Sequence, residues 1–196
     1  MTETRTRLRS GKRRPVAGRG DILDAARAIG VRDGWGAVTI RAVANKLGYS
    51  SPLLYEHFHD KEHLLTEIAV EGLNQLHVFL AADPPKKSRT AVVVMMERYW
   101  AFVNENTQLY RLMNGMDGAL IDNEKIGRAA QPLCMFLAGV VQPMLGKNAT
   151  ETDAMLLTYE LWALLHGMAA LYLDRSIPFD TERVVGAGLR LIAGAL

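Results

Sequence analysis

The 196-residue sequence contains a single cysteine, Cys134, and only 7% aromatic residues. One cysteine excludes an intrachain disulfide framework and any metal site built from paired cysteines, and it favours a reducing compartment, so we expect a cytoplasmic protein. No unbroken apolar segment follows the basic N-terminal stretch, and no secretory signal peptide is predicted. The most apolar stretch, residues 154–173, contains Glu160 and His166, which favours a buried helix over a membrane span.

Motifs typical of catalysis and of cofactor binding are also missing. The sequence has no glycine-rich phosphate loop and no nucleophile–base arrangement, and Cys134 lies in an apolar run that is typical of an inert core thiol. His59 and His63 have the i, i+4 spacing of a metal pair, but the cluster has no cysteine and is expected to span a helix junction. We therefore predict a protein that is not an enzyme and has no cofactor and no metal site.

Apolar residues recur every three or four positions along most of the chain, and no long stretch alternates β-branched and polar residues. This pattern predicts an all-α protein of about nine helices. The expected helices span residues 20–33, 39–47, 51–57, 61–82, 87–104, 107–114, 122–145, 151–174 and 181–195. Glycine and proline residues separate these segments, and Pro132 and Pro143 are expected to kink or split the seventh.

Residues 39–58 have the pattern of a helix-turn-helix. Thr39 suits an N-cap, and the helix after it has one apolar stripe. Gly48 suits a tight left-handed turn, and Ser50 or Ser51 can cap a second helix with Pro52 at its first position. We expect Leu54 and Phe58 to face the domain core, together with a stripe on the first helix formed by Ile22, Ala25, Ala26, Ile29 and Val31. The opposite face of the second helix is then available to the DNA major groove.

The stretch from residue 20 to residue 68 resembles the N-terminal signature of the tetracycline-repressor-like (TetR) family of transcriptional regulators. The matching residues are Ile22-Leu-Asp-Ala-Ala26, Val38-Thr39, Ala44, Leu47-Gly48 and Leu54-Tyr55-x-His57-Phe58-x-x-Lys61-Glu-x-Leu64. The resemblance implies contacts with a double-stranded DNA operator from Thr39, Arg41, Ser51, Pro52, Leu53, Tyr55, His57 and Lys61. Leu53 departs from the family pattern, which often has a small residue there, and a leucine suits contact with a thymine methyl group.

Charge and composition divide the chain into three parts. Residues 1–19 carry a net charge of +6, whereas the rest of the chain carries −4. We interpret residues 1–19 as a basic flexible arm that follows the DNA backbone or minor groove, the alternative being a solubilising leader. Residues 20–66 form the predicted DNA-binding domain, with the fourth helix continuing to about residue 82 as a connector. Residues 84–196, richer in Met, Leu and Ala, form the predicted ligand-binding and dimerisation domain.

Small residues on the last two helices suggest a homodimer. Ala163, Gly167 and Ala170 recur on one side of the eighth helix, where they would let another helix approach closely. The ninth helix offers a broad apolar surface that includes Gly188, Leu191 and Ala195. The TetR resemblance implies that these helices pair across a two-fold axis and that the operator is palindromic. Ordinary core packing is the alternative.

A second face of the eighth helix mixes large apolar side chains with polar tips, which suits a cavity for a small apolar effector. The predicted ligand-binding residues are Tyr99, Trp100, Met113, Met116, Phe136, Tyr159, Trp162 and His166. For each of them core packing is the alternative. The fragment Trp162-x-x-x-His166-Gly167 also resembles a WHG-type C-terminal domain found in some TetR-like regulators.

The leading hypothesis is a repressor that leaves its operator when it binds the effector. The second hypothesis is a constitutive or architectural DNA-binding dimer without an effector. The third is an all-α small-molecule carrier or enzyme, which would show no operator preference. No membrane partner is expected.

Overall fold

A computed structural model describes residues 18–82 and 89–176 and, beyond them, only Gly186 and Gly194. All regular secondary structure in these residues is helical, which confirms the all-α prediction. The α-helices are α1 Arg19–Asp33, α2 Ile40–Leu47, α3 Ser51–Tyr55, α4 Lys61–Ala81, α5 Arg89–Glu105, α6 Thr107–Met113, α7 Asn123–Val141 and α8 Glu151–Leu173. Three 3-10 turns cover Trp35–Ala37, Met116–Gly118 and Gln142–Met144. The expected ninth helix and the domain boundary near residue 84 lie outside the described residues.

The predicted helix bounds agree with the structure to within two residues except in the seventh segment. There α7 ends at Val141, and the 3-10 turn that follows contains Pro143, whose ring cannot continue an α-helix. Pro132 lies inside α7, which continues through it as one helix, so this proline does not split the segment. Its ring is exposed, and a long packed helix tolerates the absence of one backbone hydrogen bond.

The N-terminal helices enclose a small, closely packed core. Ile22, Val43, Leu54 and Phe58 are all completely buried, as the helix-turn-helix pattern predicts for the last two. The prediction that Val31 belongs to the core-facing stripe of the first helix is wrong, because Val31 is 55% exposed. The buried stripe of α1 ends at Ile29 and Gly30, and a residue two positions after Ile29 points about 200° away from it.

The long helix α4 joins this core to the rest of the protein. It packs on α1 and also against α5, α6 and α7. Gly72 lies where α4 meets α6, and a Cβ atom there would come within 2.8 Å of the Met113 sulfur and 2.9 Å of the Leu109 Cδ1 atom. The absence of a side chain at Gly72 therefore allows the close packing of α4 on α6.

Candidate DNA-binding surface and effector cavity

The turn of the helix-turn-helix has the predicted local geometry. The Thr39 hydroxyl oxygen accepts a hydrogen bond from the Ala42 backbone N–H at 3.0 Å, which caps α2. Gly48 ends α2 in the left-handed conformation, with φ 74° and ψ 33°, a region that glycine adopts without strain. These two residues fix where α2 begins and ends, and thereby the direction in which the chain enters α3.

The start and the end of α3 differ in detail from the prediction. Ser50 occupies the N-cap position without a side-chain capping bond, and Pro52 stands at the second helical position rather than the first. Regular helix ends at Tyr55, but the Phe58 N–H still donates to the Leu54 carbonyl oxygen at 3.0 Å. The backbone through His57 therefore stays coiled and holds Phe58 in the core.

All eight predicted DNA-binding residues reach the surface of the protein. Thr39, Arg41, Pro52 and Tyr55 are exposed, and the Tyr55 side chain is 52% accessible. The remaining four, Ser51, Leu53, His57 and Lys61, are partly exposed. They come from the start of α2, from α3 and the residues just after it, and from the start of α4, so the predicted contact set lies at the protein surface.

Lys61 is anchored within the N-terminal domain. Its ammonium group donates a hydrogen bond to the Gly36 carbonyl oxygen at 3.0 Å, which links the start of α4 to the turn before α2. Partial burial lowers the pKa of Lys61. An ammonium group has three N–H donors, and this bond uses one of them. The contact holds the charge in a fixed place beside the helix-turn-helix.

Arg19, the last basic residue of the N-terminal stretch, makes contacts that the sequence analysis missed. Its guanidinium group donates to the His57 carbonyl oxygen at 3.0 Å and lies 4.4 Å from the centre of the Phe58 ring. It also pairs with Glu67 at 2.8 Å. Arg19 therefore ties the start of α1 to the end of α3 and to α4.

Glu67, which the sequence analysis also missed, joins three helices. Its carboxylate pairs with Arg19 of α1 and Lys125 of α7, and the His63 Nε2 atom lies 3.8 Å away. Burial acts to raise the pKa of Glu67, but hydrogen bonds from Lys125 and Arg19 outweigh it, so the pKa is lowered. Beside this cluster the Asp122 N–H donates to the Thr66 hydroxyl at 2.9 Å, a second link between α4 and the start of α7.

Trp35 forms another contact between the two parts of the chain. Its indole N–H donates to the Gln108 carbonyl oxygen of α6 at 2.7 Å, and the side chain is buried. The indole ring lies directly on Gly30 of α1, where any side chain would overlap it. Gly34 and Gly36, which flank Trp35, indicate only a helix break in the sequence, and no local pattern indicates what the tryptophan contacts.

An apolar cavity lies between α4, α5, α6, α7 and α8. The empty space is about 830 Å³, including the part that opens to solvent. Most of the lining is aliphatic or sulfur-containing, with Leu76, Met95 and Leu133 among its residues. Cys134 also lines it, and burial raises the pKa of this thiol, consistent with an unreactive core cysteine.

A chain of buried hydrogen bonds borders this cavity. The hydroxyl groups of Tyr99 and Tyr110, both of which line the cavity, are 2.9 Å apart, and the Tyr110 hydroxyl lies 2.7 Å from the Nδ1 atom of His166. Burial raises the pKa of both tyrosines and lowers the pKa of His166. The three side chains are therefore neutral near pH 7.

The structure brings three of the predicted ligand-binding residues to the cavity: Tyr99, Met113 and Trp162 line it. The other five, Trp100, Met116, Phe136, Tyr159 and His166, are not among its described lining residues. His166 reaches the cavity only through Tyr110, and Tyr159 lies on the exposed side of α8. Tyr110 and the lining residues of α4 were missed, because their role depends on packing between helices that are far apart in the sequence.

One side of α8 is exposed and mostly apolar, with Glu160 as a charged residue within it. Ala163 is exposed, Gly167 and Ala170 are partly exposed, and Leu156, Leu164 and Leu171 beside them are each about half accessible. By length and composition alone this helix could cross a membrane, but its opposite side packs inside the protein. The other predicted dimer residues, Gly188, Leu191 and Ala195, lie outside the described residues.

The histidines near α3 interact with each other. The His59 N–H donates to the His63 Nδ1 atom at 3.3 Å, and the two rings stack with their centres 5.1 Å apart. Within residues 18–82 and 89–176, no group of three or more His, Cys, Asp or Glu residues could hold a metal ion.

Comparison with known proteins identifies both parts of the chain. Residues 22–68 match the model of the bacterial regulatory proteins of the tetR family, and residues 92–192 match a tetracyclin repressor-like C-terminal domain. The second match includes the Trp162-x-x-x-His166-Gly167 fragment.

Curated relatives include the HTH-type transcriptional activator FasR of Mycolicibacterium smegmatis, 28% identical over 97% of this chain and 94% of that protein. An uncharacterized HTH-type transcriptional regulator of Mycobacterium tuberculosis is 26% identical over 90% of this chain and 80% of its own length. The solved structure of the fatty acid degradation regulator FadR from Bacillus halodurans matches with a TM-score of 0.69 at 13% identity and shares the fold, covering 93% of this chain and 96% of that chain. The chain thus belongs to the TetR family of DNA-binding transcriptional regulators.

Proposed function

We propose that the protein is a homodimeric, cytoplasmic repressor that leaves a palindromic operator when a small, largely apolar effector occupies the cavity between α4 and α8. The observation that carries the proposal is the placement of α4. Its second half lines the cavity, and its first half holds Glu67, which pairs with Arg19 beside the recognition helix. One helix therefore contacts both the ligand space and the DNA-binding domain.

For the DNA contacts, we assign base reading to the residues at the start of α3 and phosphate binding to the cations and hydroxyl groups around them. Ser51, Pro52 and Leu53 would face the base edges, and Leu53 would pack on a thymine methyl group. Tyr55 and Lys61 would bind phosphates, together with Thr39, Arg41 and His57. The accessibility of all eight residues and the fixed position of the Lys61 ammonium support this assignment.

The basic arm would contact the same DNA. Helix α1 begins at Arg19, whose guanidinium group lies against the carbonyl oxygen of His57. The arm therefore joins the domain next to the end of the recognition helix. The six basic residues that precede Arg19 suit the backbone or minor groove of a bound duplex.

The dimer would form through the exposed side of α8. Ala163, Gly167 and Ala170 would let a partner helix approach closely, and Leu156, Leu164 and Leu171 would supply apolar area around them. A two-fold axis there would present two recognition helices to half-sites one helical turn of DNA apart.

Effector control would act through the polar contacts between α7, α4 and α1. Occupation of the cavity would change how α7 packs on α4, and Lys125 and Glu67 would carry this displacement to Arg19 and the end of α3. The effector releases DNA only to the extent that it binds the non-DNA-binding arrangement more tightly. A near-complete switch requires a difference in affinity of about 10⁴.

Selection of bound fragments from random DNA tests the DNA-binding part of the proposal. We expect enrichment of one palindromic site at moderate salt, and bound complexes with two chains per site. Enrichment of no sequence would contradict operator recognition and would favour an all-α carrier or enzyme instead.

The selected site then makes effector control testable. An apolar compound library is screened for binding by thermal shift, and each compound that binds is added to the complex with the operator. Compounds that bind the protein and lower its operator affinity support the repressor mechanism. If every bound compound leaves operator affinity unchanged, the constitutive or architectural dimer is the correct function. If bound compounds raise operator affinity, the effector promotes DNA binding and the repressor mechanism is wrong. This outcome is worth measuring because the relative FasR is named an activator.

A further inference from the structure

We infer that the cavity binds an uncharged molecule with an apolar body and one hydrogen-bonding group, such as a hydroxyl or an ester carbonyl, and that it rejects a carboxylate or any other anion. This inference rests on the proposed function only in taking the cavity as the effector site.

The first observation is the absence of charge from the cavity wall. None of the lining residues that the structure describes is a lysine, arginine, aspartate, glutamate or histidine. A carboxylate in this space would lose its water without gaining a cation, which strongly disfavours binding. FadR of Bacillus halodurans is a regulator of fatty acid degradation. In the present protein, the uncharged cavity wall disfavours the ionised form of a fatty acid.

The second observation is that most polar groups of the wall are already paired. The Thr158 hydroxyl donates to the Ala154 carbonyl oxygen at 2.8 Å, and the Asn114 side-chain amide donates to the Tyr110 carbonyl oxygen at 2.8 Å. These bonds lie within one helical turn and hold both side chains against their own backbone. The wall therefore offers few hydrogen bonds to a ligand, which limits its polar part to a single group.

The third observation is the chain from Tyr99 through Tyr110 to His166. A neutral histidine places its proton on one of two nitrogens, and each choice sets the direction of the whole chain. If Tyr110 donates to the His166 Nδ1 atom, Tyr99 donates to Tyr110 and its oxygen accepts from a ligand. If Nδ1 carries the proton, the chain reverses, and the Tyr99 hydroxyl donates to a ligand. Tyr99 can therefore form a hydrogen bond with either a hydroxyl or a carbonyl group of the ligand.

His166 does not supply the missing positive charge. Burial lowers its pKa, so the imidazole is neutral near pH 7, and Tyr110 stands between it and the cavity. Among the described lining residues an anion would meet only neutral donors, such as the Tyr99 hydroxyl and the Trp162 indole N–H, and these do not replace the hydration of a carboxylate.

Three probes that share a ten-carbon chain test the inference: decan-1-ol, sodium decanoate and decylamine. Binding to the full-length protein is titrated at pH 7.5 through tryptophan fluorescence, since Trp162 lines the cavity, and is checked by thermal shift. We expect decan-1-ol to bind about 100-fold or more tightly than decanoate or decylamine. Decanoate or decylamine binding as tightly as decan-1-ol would overturn the inference, and so would the absence of binding by decan-1-ol.

A pair of variants locates the hydrogen-bonding group. Tyr99→Phe removes the hydroxyl at the end of the chain, and we expect it to weaken decan-1-ol binding by about 5-fold to 10-fold. Tyr172→Phe is the matched control, because Tyr172 is on α8 but not among the lining residues, and its affinity should not change. Equal losses in both variants would contradict the assignment to Tyr99.

The outcomes separate this inference from the proposed function. If decan-1-ol binds as expected but leaves the operator complex intact, the ligand class stands and effector control fails. If decanoate binds better and releases the operator, effector control stands and the ligand class is wrong.

Discussion

The N-terminal helices α1–α3 and the C-terminal helices α5–α8 differ in how closely their side chains pack. In the first group large side chains such as Leu54 and Phe58 are completely enclosed, and the three short helices leave a functional surface only on the outside. In the second group the helices surround a cavity, and the proposed effector site is on the inside. Close packing holds the DNA-binding face rigid, whereas a cavity such as the one among the C-terminal helices leaves room for the proposed effector.

The largest expected effect comes from truncating a leucine in each region. Leu54→Ala leaves a new void in the close-packed core, and we expect a decrease of about 4 kcal/mol in the free energy of unfolding. Leu76→Ala enlarges a space that already exists, and because Leu76 has fewer packing partners on that side, the decrease should be about 2 kcal/mol. Chemical denaturation of both variants measures the difference. Equal decreases would mean that the two regions are equally well packed.

The second prediction concerns the basic arm as an extension of the DNA-binding region. Deletion of residues 2–17 should weaken operator binding by about 10-fold or more at moderate salt. The log–log salt slope should also become shallower by roughly 0.9 for each phosphate that the arm no longer neutralises. A full-length variant with the six basic residues of this segment changed to glutamine separates charge from length. An unchanged affinity and slope would identify the arm as a solubilising leader.

The third prediction compares the loss of one lysine charge in each region, at Lys61 and at Lys147. Lys61→Gln should reduce operator affinity by about 5-fold to 10-fold and lower the salt slope by roughly 1, because the glutamine side chain cannot neutralise a phosphate. Lys147→Gln, at an exposed position before α8, should change neither quantity. Fluorescence anisotropy over a range of salt concentrations measures both variants. Equal reductions in affinity would indicate general charge attraction without a positioned phosphate-binding group.

The smallest expected effect concerns the link between the regions. Glu67→Gln should lower the free energy of unfolding by about 1 kcal/mol at pH 7, because the carboxylate is paired with Arg19 and Lys125. The pKa of Glu67 is lowered in the folded protein, so its stabilisation is present above the ordinary glutamate pKa and is lost as the pH falls through the folded value. The variant and the wild type should therefore converge in acid.

Glu124→Gln provides the control for this link, since Glu124 pairs with Arg128 within α7 and its side chain is 84% exposed. This substitution should change stability by less than about 0.5 kcal/mol. A destabilisation at Glu124 equal to that at Glu67, or a difference at Glu67 that persists in acid, would contradict the role of the carboxylate.

The same contrast explains what the sequence predicted and what it did not. Thr39, Gly48, Leu54 and Phe58 act through neighbours within a few positions, so capping, turn and periodicity rules apply to them directly. Their structural roles were predicted correctly, whereas the contact of Thr39 with DNA is implied only by the family resemblance.

The cavity and the contacts between domains depend on residues far apart in the sequence. Tyr110 meets His166 across 56 positions, and Trp35 meets Gln108 across 73. Helical periodicity indicates which side of a helix is apolar but not which helix it faces, and it does not distinguish a cavity wall from a solid core. The exposed position of Tyr159, one of the predicted ligand-binding residues, is an example of that ambiguity.

The position of Cys134, the single cysteine, makes it a probe of access to the cavity. Cys134 borders the cavity and is buried, so a thiol reagent must enter the cavity or wait for the surrounding helices to open before it reaches the thiol. In the unaltered chain, the rate of its chemical modification therefore reports how often the cavity is accessible from water, and a bound guest should slow that rate. The protein thus carries a built-in kinetic label beside the proposed effector cavity, with no second thiol to confuse the measurement.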